Sequence, residues 1–388
     1  MAVDRARLMG DYVRQLPHQG SHDMARRPSL VTRVHIDVPL LLLLLLLTGY
    51  GLVVLYSASG QSMAAISRQA SYFALGYVAM IFAAQISLQR YVRLAPWLYL
   101  VGLITLVAVV FVGVGAKGAQ RWLEVGGFRF QPSEIMKLVV PLVVAWFLAR
   151  RALPPTLLPV GGALVLLGLP AMLIVIQPDL GTALLIAASG LFVLFMAGLR
   201  WSYILVAAVL AAASAWPVWM YGLKDYQKQR ILTMFNSDSD KLGAGWNIIQ
   251  SKTAIGSGGW QGKGWLQSTQ SRLDFLPESH TDFIIAVLAE EHGLQGIILL
   301  MGIYLLILLR GFWIGVHAQT SFGRMMAGSL TLTFFVYIFV NMGMVAGLLP
   351  VVGVPLPLVS AGGTSVVTLL AGFGILMAIS TEGRSGAM

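Results

Sequence analysis

Residues 38–57 read VPLLLLLLLLTGYGLVVLYS, with an unbroken leucine run from Leu40 to Leu47. A predominantly apolar stretch of about 20 residues has the length of a helix that crosses the hydrocarbon core of a bilayer. Outward from this stretch the pattern repeats at roughly 70–88, 97–115, 134–149, 157–176, 180–198, 203–221, 283–309, 325–347 and 362–380. Polar punctuation separates the runs, as it separates membrane spans. The 388 residues are 57% hydrophobic and only 11% charged, with a mean hydropathy of +0.79. A soluble domain could not hide that much apolar surface. The expected fold is an all-α polytopic membrane protein of about ten transmembrane helices. Residues 1–36 are polar, carry Arg5, Arg7, Arg14, Arg26, Arg27 and Arg33, and lack a small-residue cleavage site. They read as a disordered cytoplasmic arm rather than a cleaved signal peptide. Residues 37–380 form the single transmembrane domain, and 381–388 a cytoplasmic tail.

Charge orients the chain. With the N-terminus inside, the inner connections hold Arg90 and Arg93, Arg150 and Arg151, Arg200, Arg310 and Arg324, and the tail adds Arg384. Arginine on every inner connection is the positive-inside pattern, and an even number of spans leaves both termini cytoplasmic. The outer side is basic too. The loop 116–133 holds Lys117, Arg121 and Arg129. The large extracytoplasmic loop 222–282, between spans seven and eight, holds Lys224, Lys228, Arg230, Lys241, Lys252, Lys263 and Arg272. Long loops translocate despite their charge; the alternative is an electropositive funnel for an anionic substrate at the membrane surface. There are no cysteines, which excludes a thiolate nucleophile, a disulfide and a cysteine metal site. No internal repeat of the secondary-transporter kind is visible.

Four blocks hold polar residues where an apolar chain should not. In Gln131-Pro132-Ser133-Glu134-Ile135-Met136-Lys137, Pro132 suits a helix first turn. Glu134 and Lys137 then share a helix face, as a neutralised ion pair or as groups lining a polar cavity. In Gln177-Pro178-Asp179-Leu180-Gly181-Thr182, Asp179 reads foremost as a helix N-cap. The glycine-rich run from Gly256 to Gly264 lacks the Ser or Thr of a phosphate loop and reads as a flexible outer loop that folds over a ligand. Ser251 to Ile255 reads as a short amphipathic piece lying on the membrane. In Ser279-His280-Thr281-Asp282-Phe283, Ser279 and Asp282 have the spacing of an approximate capping box. Spacing favours that cap, and against it Asp282 is placed, at the head of a span beside Glu278 and His280, to act as a general base. Glu290 and Glu291 lie deeper in the same span, in a buried hydrogen-bonded or partner-facing role. The prolines and glycines of Asn341 to Ser365 predict irregular backbone, tolerated in a membrane only where it lines or closes a cavity.

Taken jointly and in order, Lys117-Gly-Ala-Gln-Arg-Trp122, Gln131-Pro-Ser-Glu134, Gln177-Pro-Asp-Leu-Gly181, Leu276-Pro-Glu-Ser-His-Thr-Asp-Phe283 and Gly347-Leu-Leu-Pro-Val-Val-Gly-Val-Pro-Leu-Pro357 resemble the SEDS family (shape, elongation, division and sporulation), most closely its rod-shape members. The resemblance covers about residues 34–380. It implies a peptidoglycan glycosyltransferase of the bacterial inner membrane that polymerises lipid II on the periplasmic face. It implies Asp282 as the essential carboxylate, with Glu134, Lys137 and Arg121 matching conserved cavity and outer-loop positions. It also implies a class B penicillin-binding protein as partner, of the elongation type, among other rod-complex membrane proteins. No nucleic-acid partner is expected. One position departs: the family usually has Ser-Tyr-Gly-Gly where this chain has Ser360-Ala361-Gly362-Gly363.

The expected reaction is an inverting sugar transfer. Asp282 takes the proton of the acceptor hydroxyl. Lys137, Arg121, Lys117, Lys252 and Lys263 bind the substrate and stabilise the departing diphosphate, and a divalent cation such as Mg or Mn could share that work. The rival readings are a lipid II flippase and a non-catalytic scaffold.

Overall fold

The computed structural model describes residues 35–116, 119–125, 128–235, 244–269 and 279–385. The arm, apart from its last two residues, and the last three residues of the tail lie outside this range. The chain opens with α1 (Val38–Ala58), α2 (Met63–Ala84) and α3 (Leu88–Val112). A small antiparallel meander of β1 (Val114–Ala116), β2 (Ala119–Val125) and β3 (Phe128–Phe130) follows. Then come α4 (Pro132–Ala149), α5 (Leu157–Ile176), α6 (Leu180–Met196) and α7 (Trp201–Pro217), the last ending in a π turn at Val218–Gly222. Among the described residues of the long loop lie two helices, α8 (Asp225–Phe235) and α9 (Ala244–Gly258). The chain closes with α10 (Ile284–His317), α11 (Ser321–Val345) and α12 (Thr364–Ser385).

Among the described residues, 8 helices are long and apolar enough to cross a membrane. The shorter apolar α6 and the 22-residue α2, whose first turns carry Arg68 and Gln69, complete the expected set. The protein is thus an all-α multi-pass membrane protein. Two spans begin earlier than hydropathy suggests. Ser62 caps α2 by accepting from the Ala65 amide at 3.3 Å, so Arg68 lies inside the helix. Likewise α3 starts at Leu88 and takes Arg90 and Arg93 into its first turns. Long cationic side chains at a span's end reach water while their stems stay apolar, so the helix continues past the point where hydropathy falls.

Helix α4 lies at the centre, against α3, α5, α6, α11 and α12. On the other side α12 packs along α2, where Gly374 lies so close to the Met80 carbonyl that a Cβ would stand 2.3 Å away. Helix α7 differs from the rest in burying no residue.

At the arginine-rich end the bundle is clamped. Asp37 caps α1 through the Leu40 amide, pairs with Arg310 of α10 at 2.7 Å and accepts from Ser380 of α12 at 2.6 Å. Burial alone would raise the Asp37 carboxyl, but Arg310, Ser380 and the Leu40 amide outweigh it and hold it below its ordinary value of 3.8. Removing one partner of a nearly buried pair costs about 3–5 kcal/mol, so Asp37→Ala should lower the melting temperature in detergent by several degrees. A lowered carboxylate contributes stability above the unfolded-state pKa and loses it as pH falls through the folded value. The wild-type advantage should therefore be full at neutral pH and shrink below about pH 4, as thermal melts of both proteins across pH would show.

Candidate functional site

The segment Ser279–Phe283 lies at the loop-bearing end as a turn ahead of α10, which starts at Ile284. Three successive carbonyls of this turn are held by other parts of the chain. His280 O accepts from the Ala361 amide at 3.0 Å, Thr281 O from Ser360 Oγ at 2.5 Å, and Asp282 O from Asn341 Nδ2 at 2.8 Å. Asn341 is fully buried and also donates to Val354 O at 2.7 Å. The Ser360 hydroxyl in turn accepts from the Leu356 amide. The capping box allowed by spacing does not form. Ser279 Oγ donates to Ala58 O of α1, and Asp282 precedes the helix. These cross-links hold the turn out of helical register and leave the Asp282 side chain half-buried rather than committed to a cap. Its Oδ2 stands 3.4 Å from where a Cβ on Gly353 would be, and Gly353 has φ +73°, so glycine lets the loop after α11 turn against the carboxylate.

Glu134 and Lys137 face inward from the first turns of α4. Lys137 Nζ donates to Glu134 Oε1 at 2.6 Å, and both residues are buried. The ammonium lies 5.1 Å from the Tyr337 ring centre, and Thr368 Oγ1 of α12 donates to Glu134 Oε2 at 3.5 Å. A small cavity of about 30 Å³ opens beside Lys137, lined by Lys137, Thr333, Tyr337 and Thr368 among apolar side chains. The pair neutralises itself, and of the two Lys137 alone lines the cavity, whose walls are mainly apolar rather than polar.

The expected loop over 116–133 is instead the β meander, and Lys117 lies outside the described residues. Arg121 on β2 donates through Nη2 to Pro178 O at 2.8 Å, with its Nε 3.5 Å from Asp179 Oδ2. Asp179 caps α6 through the Thr182 amide, and Gln131 reaches the same carboxylate at 3.4 Å. Arg121 thus ties the meander to the α5–α6 turn and remains partly exposed.

The loop 222–282 departs most from expectation. Residues 251–255 belong to α9, a docked helix rather than a piece lying on the membrane. Its buried face runs Ile248, Ser251, Ala254, Gly258, small enough for contact with α10 and α11. Ser251 Oγ donates to Val345 O at 2.9 Å, and a Cβ on Gly258 would fall 2.0 Å from Ala289 O. The glycine run is no free flap either. The Lys263 and Gly264 amides donate to the Glu290 and Glu291 carbonyls, and the Leu294 and Gln295 amides to Gly259 O and Trp260 O. Helix α10 opens to receive it at Gly293, at φ +62°. Fully buried Glu290 accepts from Lys263 Nζ, Ser268 Oγ and Thr269 Oγ1, each at 2.6 Å. Glu291 accepts from Ser57 of α1 and from the Ser268 amide. Of the cations assigned to substrate, Lys263 therefore has its ammonium held by Glu290. Lys252 is exposed on α9, with its chain end folded over Gly347. Gly262 has φ +79°, and a Cβ there would fall 2.1 Å from Glu291 O. Gly262→Ala should unfasten this strap, seen as faster proteolysis near residues 259–269 and a melting temperature lowered by a few degrees, consistent with a conformational cost of about 1–2 kcal/mol or more.

Asn341 and Ser360, which the sequence places only in a block of irregular backbone, hold the Asp282 turn, and sequence reading passes over Arg68, Gln69 and Tyr72 of α2, which line a cleft with His280 and Thr281 of that turn. For the three α2 residues a signal existed, since polar residues at 65–72 repeat at helical spacing where a span enters. No cluster of three or more His, Asp or Glu residues that could hold a metal occurs among the described residues.

A family model described as cell cycle protein, FtsW/RodA/SpoVE, matches residues 38–385. The chain is 54% identical over 360 residues to the peptidoglycan glycosyltransferase MrdB of Escherichia coli (strain K12), covering 93% of this chain and 97% of that protein. It is 37% identical over 356 residues to a probable peptidoglycan glycosyltransferase FtsW of Trichlorobacter lovleyi, covering 89% and 93%. Among solved structures, it superposes with a TM-score of 0.79 and 30% identity on a chain of a peptidoglycan synthase complex that coordinates polymerization and crosslinking, covering 89% of this chain and 97% of that one. It superposes on the rod shape determining protein RodA of Thermus thermophilus with a TM-score of 0.67 and 28% identity, covering 89% and 96%.

Proposed function

Because this chain belongs to the FtsW/RodA/SpoVE family, we infer that it is a peptidoglycan glycosyltransferase that polymerises lipid II into glycan strands during elongation of a rod-shaped cell. The loop-bearing end faces the periplasm and the arginine-rich end the cytoplasm of the inner membrane. The observation that carries the reading is the Asp282 turn. A half-buried carboxylate, on a backbone pinned at three consecutive carbonyls, stands at the loop-bearing end of the bundle.

A sugar hydroxyl is a poor nucleophile at neutral pH. A positioned carboxylate that accepts its proton while the bond to the anomeric carbon forms is worth about 10²–10⁴ in rate. Asp282 is that base. Attack from the face opposite the diphosphate inverts the configuration at the anomeric carbon and needs no covalent enzyme intermediate. The departing diphosphate gathers negative charge, and preorganised cations stabilise it. Lys137 is the innermost of these, held in place by Glu134; Arg121 and Lys252 stand nearer the exposed rim. Lys263 serves the site through the strap that Glu290 fastens. The partner is a class B penicillin-binding protein that cross-links the new strands.

The test is glycan formation from lipid II by the purified chain in detergent, with no second compartment. A polymerase yields glycan; a flippase or a scaffold yields none.

A further inference from the structure

The turn that carries Asp282 and the loop after α11 meet at one side chain. Asn341 lies near the outer end of α11 and is fully buried. Its Nδ2 donates to Asp282 O at 2.8 Å and to Val354 O at 2.7 Å. Two carbonyls call for two N–H donors, which fixes the orientation of the amide. Its Oδ1 is left buried with no hydrogen-bond partner among the described residues. An unmet buried acceptor costs stability, so packing alone does not account for asparagine here.

Both backbones that Asn341 grips surround the carboxylate. One belongs to the residue that bears it. The other adjoins Gly353, where an added Cβ would lie 3.4 Å from Asp282 Oδ2. Asn341 therefore holds the Asp282 main chain together with the wall its side chain faces. The same face of α11 reaches the cation. Tyr337 lies one turn earlier, with its ring centre 5.1 Å from Lys137 Nζ. The Val354 side chain packs in a buried cluster with Tyr337 and Leu185. A path of contacts thus runs from Asp282 through Asn341, Val354 and Tyr337 to Lys137. Of the three bonds to the turn's carbonyls, from Ala361, Ser360 and Asn341, the last is the one that comes from α11.

Resting on the polymerase reading, we propose that Asn341 is a positioning residue, which registers the Asp282 carboxylate against the Lys137 ammonium through α11. It touches no substrate itself, being fully buried and lining neither the cavity of Lys137 nor the cleft of α2. Base and cation act on opposite faces of one anomeric carbon. Their separation therefore governs the rate of transfer rather than the binding of the headgroup. A misplacement of about 1 Å at a reacting group costs about 10²-fold.

Two readouts on the full-length chain in detergent test this. In glycan synthesis from lipid II, Asn341→Leu should lower kcat about 10²-fold and leave KM within about twofold. Asn341→Asp, whose carboxyl is neutral when buried among carbonyls, donates once and should fall between; it carries the comparison if the leucine variant does not fold. Ser329→Ala is the control for a merely structural role. Ser329 is fully buried on α11, about 18 Å along the helix axis, and donates to Ser189 O of α6 at 2.7 Å. That variant should lose melting temperature and keep its kcat. In the substrate-free chain, hydrogen exchange over residues 279–288 should be about tenfold faster in Asn341→Leu and unchanged in Ser329→Ala. Unaltered kcat or exchange in folded Asn341 variants, a loss confined to KM, or an equal fall of kcat in Ser329→Ala overturns the positioning role. Exchange needs no turnover, so a wild-type chain that makes no glycan would fail the polymerase reading separately.

Discussion

Lys137→Met should both abolish glycan synthesis and destabilise the protein, and the two effects should separate in a double substitution. The single change leaves Glu134 buried without its cation at 2.6 Å. Breaking a buried pair from one side costs about 3–5 kcal/mol, whereas replacing both partners by uncharged groups of similar size is often neutral. Glu134→Gln/Lys137→Met should therefore regain most of the lost melting temperature. It should not regain activity, because the cation beside the cavity is still missing. Thermal melts and lipid II polymerisation on the wild type, both single variants and the double variant measure this. Recovery of activity together with stability would reduce the pair to a structural tie and move the diphosphate-stabilising charge elsewhere.

The sequence carried the fold well wherever the environment of a helix is lipid. The leucine run from Leu40 to Leu47 can be satisfied only by a membrane or a core, and the arginines of the short connections orient the rest. It carried Asp179 as a cap for the same reason: the interaction is local, spanning three residues. What it did not carry is contact over distance. Nothing in Lys263 announces Glu290, 27 residues on, and a glycine run looks flexible whether it is free or, as at Gly258 and Gly262, pressed against another backbone. The capping box at Ser279 was a local solution that tertiary bonds to Ala58, Ser360 and Asn341 displaced. Arg68 was read past because hydropathy placed the start of its span after it, whereas the Ser62 cap brings it into the helix.

The largest expected effect is at Asp282. Asparagine has nearly the shape of aspartate but cannot accept the acceptor hydroxyl's proton. The turn is held through backbone carbonyls, which the substitution leaves intact, so the fold and the docking of a partner should survive. The loss of rate should be about 10²–10⁴-fold, the contribution of a positioned base. The decisive measurement is single-turnover glycan formation from lipid II by purified Asp282→Asn, with lipid II binding measured on the same sample. Near-normal binding with synthesis at least about 10²-fold slower is the predicted result; normal synthesis by a folded Asp282→Asn protein would contradict the account.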